Sequence, residues 1–327
     1  MKILVIRFRQ MGDAILTTPL LSTLRKNFPE AEIDYILNER IAPLFEGHPA
    51  ISRIITFSEQ ERHSFFTYIT KVWRIVHKTH YDVIIDMRST INTIPFALFS
   101  IQSKWRIGIR KPYTWGIFNY RFDGCEDNES MISHNLKLTE PLEPKVTDKN
   151  LTLCITEKEK ADFKAYMCQK GIDFKRPVML VGVTAKLEKK TWPEDRMTEV
   201  IGHLIEAIPQ WQLIFNYAPG REAENARRIF EHLDCPQNVF MNIEAKSPRQ
   251  LAAMAANCTA YFGNEGGGRH IVHAMGKPSL VVCSPFASKT TWLPQDTDII
   301  ALGIDANDAT VEFVWNQLFT FCKELAI

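Results

Sequence analysis

Three consecutive glycines in this 327-residue chain have the spacing of a phosphate-binding turn. Gly266, Gly267 and Gly268 follow a short apolar segment and precede a helical pattern that contains His270. A glycine turn between a strand and a helix presents backbone amides and the positive end of the helix dipole at one point, which favours a phosphate. Glycine turns also join strands to helices without binding anything, so this motif is weak without its context.

A hydroxyl and a group of lysines form a second candidate. Thr184 follows the apolar segment PVMLVGV, and a lysine run that ends at Lys190 comes directly after it. Cations and a hydroxyl near the end of a strand suit a diphosphate, although lysine runs are usually only solvated. The following TWPEDR predicts a helix start with Thr191 as its cap and Pro193 in its first turn. Such a helix would hold Lys190 beside a ligand.

Carboxylates follow two further strand candidates. Gly12 and Asp13 come after the apolar segment KILVI, and Glu222 and Glu224 stand after WQLIFNY at the head of a helix. A carboxylate at a helix start can act as a general base on a hydroxyl, or it can simply cap the helix or complement its dipole. The glutamates could likewise accept hydrogen bonds from a ribose or a base. The local sequence leaves both interpretations open.

Residues 101–122 form a basic and aromatic segment without an acidic residue. Its cations include Arg106, Arg110 and Lys111, and aromatic residues such as Trp115 stand between them. This composition suits an anionic partner that is partly lipidic or rich in sugar. It is equally consistent with a surface loop whose aromatic rings pack.

Composition restricts the class of protein. A net charge of +1 argues against bulk nucleic-acid binding, and seven widely spaced cysteines without a C-x-x-C pair indicate reduced thiols rather than disulfides or a zinc site. The apolar start is too short for a signal peptide, and no stretch is long enough to span a membrane, so we expect a cytoplasmic protein. Asp296 and Asp298 form a D-x-D that we interpret as a surface turn, and we predict no metal.

Strand and helix patterns alternate along the chain, which predicts an α/β protein with doubly wound parallel sheets. Its length favours two domains, residues 1–150 and 151–327, joined through the polar region 123–160. A last amphipathic helix is expected within 311–327. Ligands bind at the carboxyl ends of the strands in such folds, so we expect the candidate loops to face a cleft between the two domains.

Several of these segments together resemble glycosyltransferase family 9, the heptosyltransferases of lipopolysaccharide core assembly. The matching segments are IRFRQMGDAILTTPLLSTLRKNFPEAEIDYI, YDVIIDM, KKTWPED and GNEGGGRHIVHAMGKPSLVVCSP, whereas residues 58–80 and 100–175 match only in outline. The resemblance implies a GT-B fold with two Rossmann-like domains, the first for the acceptor and the second for the nucleotide-sugar. It implies an inverting transfer of heptose from ADP-heptose to a lipopolysaccharide core acceptor, without a metal or cofactor.

The resemblance also implies roles for single residues. Asp13 would be the base that deprotonates the acceptor hydroxyl, and Lys190 would steady the departing diphosphate together with Thr184 and the glycine amides. Glu222, with Glu224 as the alternative, would hold the nucleoside.

Contacts with the acceptor are predicted for Gly12, Arg106, Arg110 and Lys111. The acceptor is then an anionic glycolipid, which would bring the protein to the inner face of the inner membrane as a peripheral protein.

One departure from the family is visible at the glycine turn. The family usually reads D-T-G-x-x-H, whereas this chain has Glu265, Gly266 to Gly268, Arg269 and His270, which matches the family histidine. Arg269 could restore charge to a donor site that lacks the threonine hydroxyl. The alternatives are therefore another nucleotide-sugar, an epimerase or hydrolase on the same architecture, and a non-catalytic nucleotide or glycan binder.

Overall fold

Two parallel β-sheets form the framework of the protein. The computed structural model describes residues 1–8, 10–126, 129–286, 288–294 and 297–325. The chain divides into unit 1 (Met1–Cys154) and unit 2 (Ile155–Ile327), where the sequence predicted a boundary after residue 150. The predicted α/β class with two Rossmann-like doubly wound domains is confirmed.

Unit 1 alternates strands with helices in the manner that the sequence predicts. Its strands are β1 (Lys2–Ile6), β2 (Glu32–Asn38), β3 (Arg53–Phe57), β4 (Val83–Asp86), β5 (Trp105–Ile109) and β6 (Tyr120–Phe122). Its α-helices are α1 (Met11–Ile15), α2 (Thr18–Asn27), α3 (Glu59–His63), α4 (Phe65–Thr79), α5 (Ile94–Leu98) and α6 (Met131–Lys137), with short 3-10 helices at Ala42–Phe45, Pro112–Thr114 and Glu140–Leu142.

Unit 2 repeats this alternation. Its strands are β7 (Val178–Gly182), β8 (Gln212–Phe215), β9 (Val239–Phe240), β10 (Ala260–Asn264), β11 (Ser279–Val282) and β12 (Ala301–Ile304). Its α-helices are α7 (Glu157–Gln169), α8 (Glu194–Ala207), α9 (Arg221–His232), α10 (Pro248–Asn257), α11 (Gly267–Ala274), α12 (Lys289–Trp292) and α13 (Val311–Leu325), with a 3-10 helix at Glu188–Lys190.

The strand order is the same in both sheets. Among the described residues it is β3-β2-β1-β4-β5-β6 in unit 1 and β9-β8-β7-β10-β11-β12 in unit 2, with every pair parallel. The central strands are covered on both faces, which is why β1, β4, β7 and β10 are short apolar runs that are almost wholly buried. This order reverses direction between β1 and β4 and between β7 and β10. Such a switch point is where α/β sheets bind ligands.

Local structure differs from the prediction at three places. The segment MGD, which was expected among the loops that follow strands, is instead the first turn of α1, and the helical structure is interrupted between α1 and α2. The predicted cap of α8 at Thr191 is wrong, because the helix starts after Pro193 and the Thr191 hydroxyl instead accepts a hydrogen bond from the Ala185 amide. β5, β6 and α6 lie in regions for which the sequence patterns predicted no element.

None of the helices in the described ranges is long and apolar enough to cross a bilayer.

Candidate active site

Asp13 lies at the switch point of unit 1, on the first turn of α1. It is buried, and its Oδ1 accepts a hydrogen bond of 3.1 Å from Nη2 of Arg7, a residue that directly follows β1. Arg7 is also buried, and its Nη1 donates to the Met87 carbonyl after β4 at 3.2 Å. The guanidinium therefore ties the loop after β1 to the loop after β4 and fixes the position of the carboxylate between them.

The loops after β4 and β5 join the same network. Arg88 donates from Nη1 to the Phe8 carbonyl at 2.7 Å, and Lys111 donates from Nζ to the Arg88 carbonyl at 2.7 Å. Asp86 turns the chain here, because its Oδ1 accepts hydrogen bonds from the amides of Arg88 and Ser89. Burial raises the pKa of the Asp86 carboxyl. The Asp13 carboxylate is thus paired with Arg7, and the loops around it are held together by Arg88 and Lys111.

The predicted acceptor-binding residues divide into two groups. Gly12 precedes Asp13 on α1, and Lys111 belongs to the network just described. Arg110 is exposed beside Lys111 and forms a 2.9 Å ion pair with Asp123. Arg106 lies in β5, away from the carboxyl end, where its guanidinium donates to the carbonyls of Ile101, Ser103 and Ile117. Gly12 is thus next to Asp13 in α1, Lys111 is linked to the loop after β1 through Arg88, and Arg106 holds neighbouring loops together.

The switch point of unit 2 depends on two glycines. Gly263 has a φ of +135°, and a Cβ there would lie 2.4 Å from the Gly182 carbonyl oxygen. Asn264 follows, and it donates from Nδ2 to the same carbonyl at 2.9 Å while its Oδ1 accepts from the Trp192 amide at 2.6 Å. This contact between β7 and β10 places the loop that contains Lys190 beside the glycine turn.

Lys190, Glu265 and His270 form a polar cluster at this turn. Lys190 Nζ lies 3.7 Å from Glu265 Oε2, and His270 Nε2 lies 3.8 Å from Glu265 Oε1. Glu265 and His270 are buried, whereas the Lys190 side chain is 28% exposed. α11 begins at Gly267, so two of the three glycines belong to its first turn, where amides have no intrahelical partner. An exposed cation beside free amides is suited to a phosphate.

Arg269 lies inside the fold with no exposed surface. Its Nη2 donates to the Trp292 carbonyl at 2.7 Å and contacts His270 Nε2 at 3.2 Å. Because a guanidinium can only donate, this geometry assigns the His270 proton to Nδ1. Burial, with the charge of Arg269, lowers the pKa of His270 well below its usual value. Burial also lowers the pKa of Arg269 to about 10, against the favourable charge of Glu265.

Thr184 and Glu222 are brought together although they are far apart in the sequence. The Thr184 hydroxyl donates to Glu222 Oε2 at 2.8 Å, which joins the loop after β7 to the start of α9. Glu224 is exposed on the same helix. Of the two glutamates, Glu222 therefore lies with the other predicted donor residues.

A group of possible metal ligands lies elsewhere in unit 1. In the described part of the chain, ligand atoms of Cys125, Glu129 and His134 lie within 4.8 Å of one another. Glu129 Oε1 is only 2.6 Å from Lys137 Nζ, so its charge already has a cationic partner. The sequence analysis did not consider this group. Asp296 of the D-x-D lies outside the described residues.

Arg7 and Asn264, which position the two candidate sites, were not predicted from the sequence. Both stand at a strand end beside a predicted site residue, and that position was the only signal that could have found them. Arg7 contacts Met87, which lies 80 positions away in the chain, and Asn264 contacts Gly182, which lies 82 positions away.

Comparison with known proteins identifies the family of the chain. Residues 69–312 match the sequence model of glycosyltransferase family 9 (heptosyltransferase). The chain belongs to this family. It is therefore a glycosyltransferase of the heptosyltransferase family.

Curated relatives of this family 9 protein are lipopolysaccharide heptosyltransferases. It is 19% identical to lipopolysaccharide heptosyltransferase 1 of Campylobacter coli, over 86% of this chain and 83% of that protein. It is 23% identical to lipopolysaccharide heptosyltransferase 3 of Escherichia coli K12, over 89% of this chain and 85% of that protein.

Solved structures share the fold. A glycosyl transferase family 9 protein from Veillonella parvula has a TM-score of 0.86 at 18% identity, covering 99% of this chain and 96% of the other. An E. coli heptosyltransferase solved with ADP has a TM-score of 0.73 at 17% identity, covering 99% and 100%. A Listeria monocytogenes protein described as a UDP-N-acetylglucosamine 2-epimerase has a TM-score of 0.60 at 14% identity, covering 98% and 88%. The fold is thus shared with epimerases, and the family match distinguishes this chain from them.

Proposed function

We propose that this protein transfers a heptose from ADP-heptose to a lipopolysaccharide core acceptor, with inversion at the anomeric carbon. The observation that carries the proposal is the Asp13 carboxylate held by buried Arg7 at the switch point of unit 1. In this proposal Asp13 accepts the proton of the acceptor hydroxyl as that hydroxyl attacks the sugar. A base in such a position contributes roughly 10²- to 10⁴-fold to the rate.

Unit 2 holds the donor in this proposal. Lys190 and the first-turn amides of α11 neutralise the departing diphosphate, and no metal takes part in the step as proposed. Glu222, oriented by the Thr184 hydroxyl, accepts hydrogen bonds from the nucleoside, and Glu265 faces the sugar. Support for ADP as the nucleotide comes from the E. coli neighbour solved with it.

The acceptor side is proposed to recognise an anionic glycolipid. Lys111 lies in the Asp13 network and Arg110 is exposed beside it, so both are available to negative groups of a core oligosaccharide. A lipid-linked acceptor would place the enzyme in the cytoplasm, as a peripheral protein at the inner face of the inner membrane.

Asp13→Asn tests the proposed base. Asparagine keeps an oxygen that accepts the Arg7 hydrogen bond but cannot take up a proton at neutral pH. We expect kcat to fall by roughly 10²- to 10⁴-fold while the affinity for ADP, measured by calorimetry, stays within about twofold. Asp162→Asn, at an exposed site on α7, is the matched control and should behave as the unchanged enzyme. Full transfer by Asp13→Asn would remove Asp13 from the role of base.

Product analysis separates the alternatives. Incubation with donor alone would yield an epimer if the protein were an epimerase and free sugar if it were a hydrolase. Nucleotide binding without transfer to any heptose-free core acceptor would indicate a non-catalytic binder. A panel of nucleotide-sugars in a thermal-shift assay identifies the donor, because a ligand that binds only the folded state stabilises it.

A further inference from the structure

Large apolar side chains are exposed on three connections that follow strands of unit 1. They are Phe65 (70% exposed), Phe66 (82%), Ile91 (78%), Tyr113 (48%) and Trp115 (78%), which we call the apolar rim. Phe65 and Phe66 begin α4, which follows β3 and α3, Ile91 lies in the loop after β4, and Tyr113 and Trp115 lie in the connection after β5. All three connections therefore begin at the carboxyl edge of the sheet, the edge that also carries Asp13. Contiguous exposed apolar surface of this kind marks an interaction site.

Hydrogen bonds join the three connections to one another. The Tyr68 hydroxyl, on the first turn of α4, donates to the carbonyl of Asn92, so the start of α4 lies against the loop after β4. Lys111 donates to the Arg88 carbonyl, which connects the loop after β5 to the same loop. Because Arg88 in turn donates to the Phe8 carbonyl, the rim is continuous with the loop that leads to Asp13.

Packing of α4 against the core does not explain why the rings of the apolar rim are exposed. α4 already buries a stripe made of Tyr68, Val72 and Val76, which satisfies its amphipathic pattern. Phe66 lies off that stripe and is the most exposed large apolar side chain of the described residues. The rings of Phe65 and Phe66 contact each other edge to face with centroids 5.6 Å apart, so they form one exposed aromatic surface rather than two scattered side chains.

Charge indicates the nature of that partner. Residues 87–93 and 110–117 contain Arg88, Arg110 and Lys111 and no acidic residue. The third connection, residues 58–66, carries two glutamates and two basic residues, and one of the glutamates is already paired with a lysine of α4. Lys111 Nζ lies 5.9 Å from the Tyr113 ring centroid, so cations and aromatic rings are interleaved on this surface. Aromatic side chains prefer the interface of a bilayer, and basic side chains beside them are attracted to anionic headgroups.

We propose that the apolar rim inserts into the headgroup region of an anionic lipid bilayer. The edge of unit 1 that carries Asp13 then rests on the membrane surface. This inference rests on the proposed function for its biological meaning, since a glycolipid acceptor lies in such a surface, but the lipid contact itself is testable without any transfer reaction.

Vesicle co-sedimentation of the full chain tests the rim. The unchanged protein should bind vesicles of phosphatidylglycerol and phosphatidylethanolamine, should bind phosphatidylcholine vesicles far less, and should lose affinity as salt rises. The double variant Phe65→Ser and Phe66→Ser should bind about tenfold more weakly or worse, since two apolar anchors are removed. Trp115→Ser, on a separate loop, should weaken binding as well. Phe313→Ser, which changes an exposed ring on α13, is the matched control and should bind normally.

Each outcome decides the proposal. Absence of vesicle binding, equal binding to anionic and neutral vesicles, or undiminished binding by both rim variants would overturn it, and a protein partner would then be the better candidate for this surface. Failure of the proposed function looks different, because the protein would bind vesicles yet transfer no sugar. Conversely, a rim variant that keeps full activity on a delipidated core acceptor, but loses it on the same acceptor in vesicles, supports both.

Discussion

Replacing Arg269 by methionine should leave the free energy of unfolding almost unchanged while weakening donor binding. Burial lowers the pKa of Arg269 from its usual value to about 10, a shift that corresponds to about 3 kcal/mol against the charged form. Its hydrogen bond to the Trp292 carbonyl, at 2.7 Å, stabilises by roughly 1.5 to 3 kcal/mol. These contributions oppose each other and are similar in size. Methionine fills much of the same volume without a charge, so Arg269→Met should change stability by about 1 kcal/mol or less.

Two comparison variants give this prediction a direction. Arg269→Lys keeps a buried charge but loses the planar group that reaches Trp292, so it should be less stable than Arg269→Met. Arg269→Ala removes the charge but leaves a cavity, with a loss of roughly 3 kcal/mol. The unchanged protein and Arg269→Met should therefore be the most stable. Arg269→Lys should be less stable than both, and Arg269→Ala should be among the least stable. Urea unfolding of the full chain, followed by circular dichroism, measures it.

Function should respond differently from stability. Without Arg269, buried Glu265 loses a neighbouring cation, and α11 loses its link to the Trp292 carbonyl. We expect the dissociation constant for the donor to rise by about tenfold, which corresponds to about 1.4 kcal/mol. A loss of more than about 3 kcal/mol of stability in Arg269→Met would show that the buried cation is net stabilising. Unchanged donor affinity would show that Arg269 does not position the turn.

Two further predictions concern stability. Gly263→Ala should destabilise unit 2 by about 3 kcal/mol or more, because its φ is +135° and the new Cβ would lie 2.4 Å from the Gly182 carbonyl oxygen; Gly266→Ala, where no atom lies within 4 Å, is the control in thermal unfolding. Burial lowers the pKa of His48 and of His273 from 6.5 to about 4, so the unfolded chain binds more protons than the folded one between these values. The free energy of unfolding should therefore fall as pH falls from 6.5 to 4, by up to about 3 kcal/mol per histidine. His48→Asn should reduce this dependence on pH, whereas a substitution at exposed His63 should leave it intact.

The framework was predictable because its signal is local. Buried parallel strands are short apolar runs, and helices between them show amphipathic stripes, so β1, β4, β7 and α9 fall where the patterns placed them. β5 and β6 were missed because their sequence, rich in arginine and aromatic residues, resembles a surface loop. The structure shows why such a strand is possible: the Arg106 guanidinium reaches carbonyl groups of neighbouring loops instead of solvent.

The candidate site was predictable only in part, for a physical reason. Asp13 and Lys190 could be predicted because chemistry that follows a strand in an α/β fold lies at one edge of the sheet. Arg7 could not, since the sequence does not show that its side chain reaches a carbonyl 80 positions away. The pairing of Thr184 with Glu222 depends in the same way on neighbouring strands, β7 and β8, and on a contact between residues 38 positions apart.

The two switch points have the same strand order, but the signs of the buried charge and of the charge proposed to act are reversed between them. In unit 1 a cation, Arg7, is nearly inaccessible and supports the carboxylate that is proposed to act. In unit 2 a carboxylate, Glu265, is nearly inaccessible, while the cation proposed to act, Lys190, is 28% exposed. The 3.7 Å separation of that pair is longer than a strong charge-assisted hydrogen bond, so Lys190 can turn to a diphosphate without breaking a tight contact. The proposed reaction needs a base at one place and neutralisation of a leaving group at another, and this reversal of charge is suited to it. Because the strand order is shared, the proposed division of the reaction between the two units rests on the side chains next to each switch point rather than on the fold.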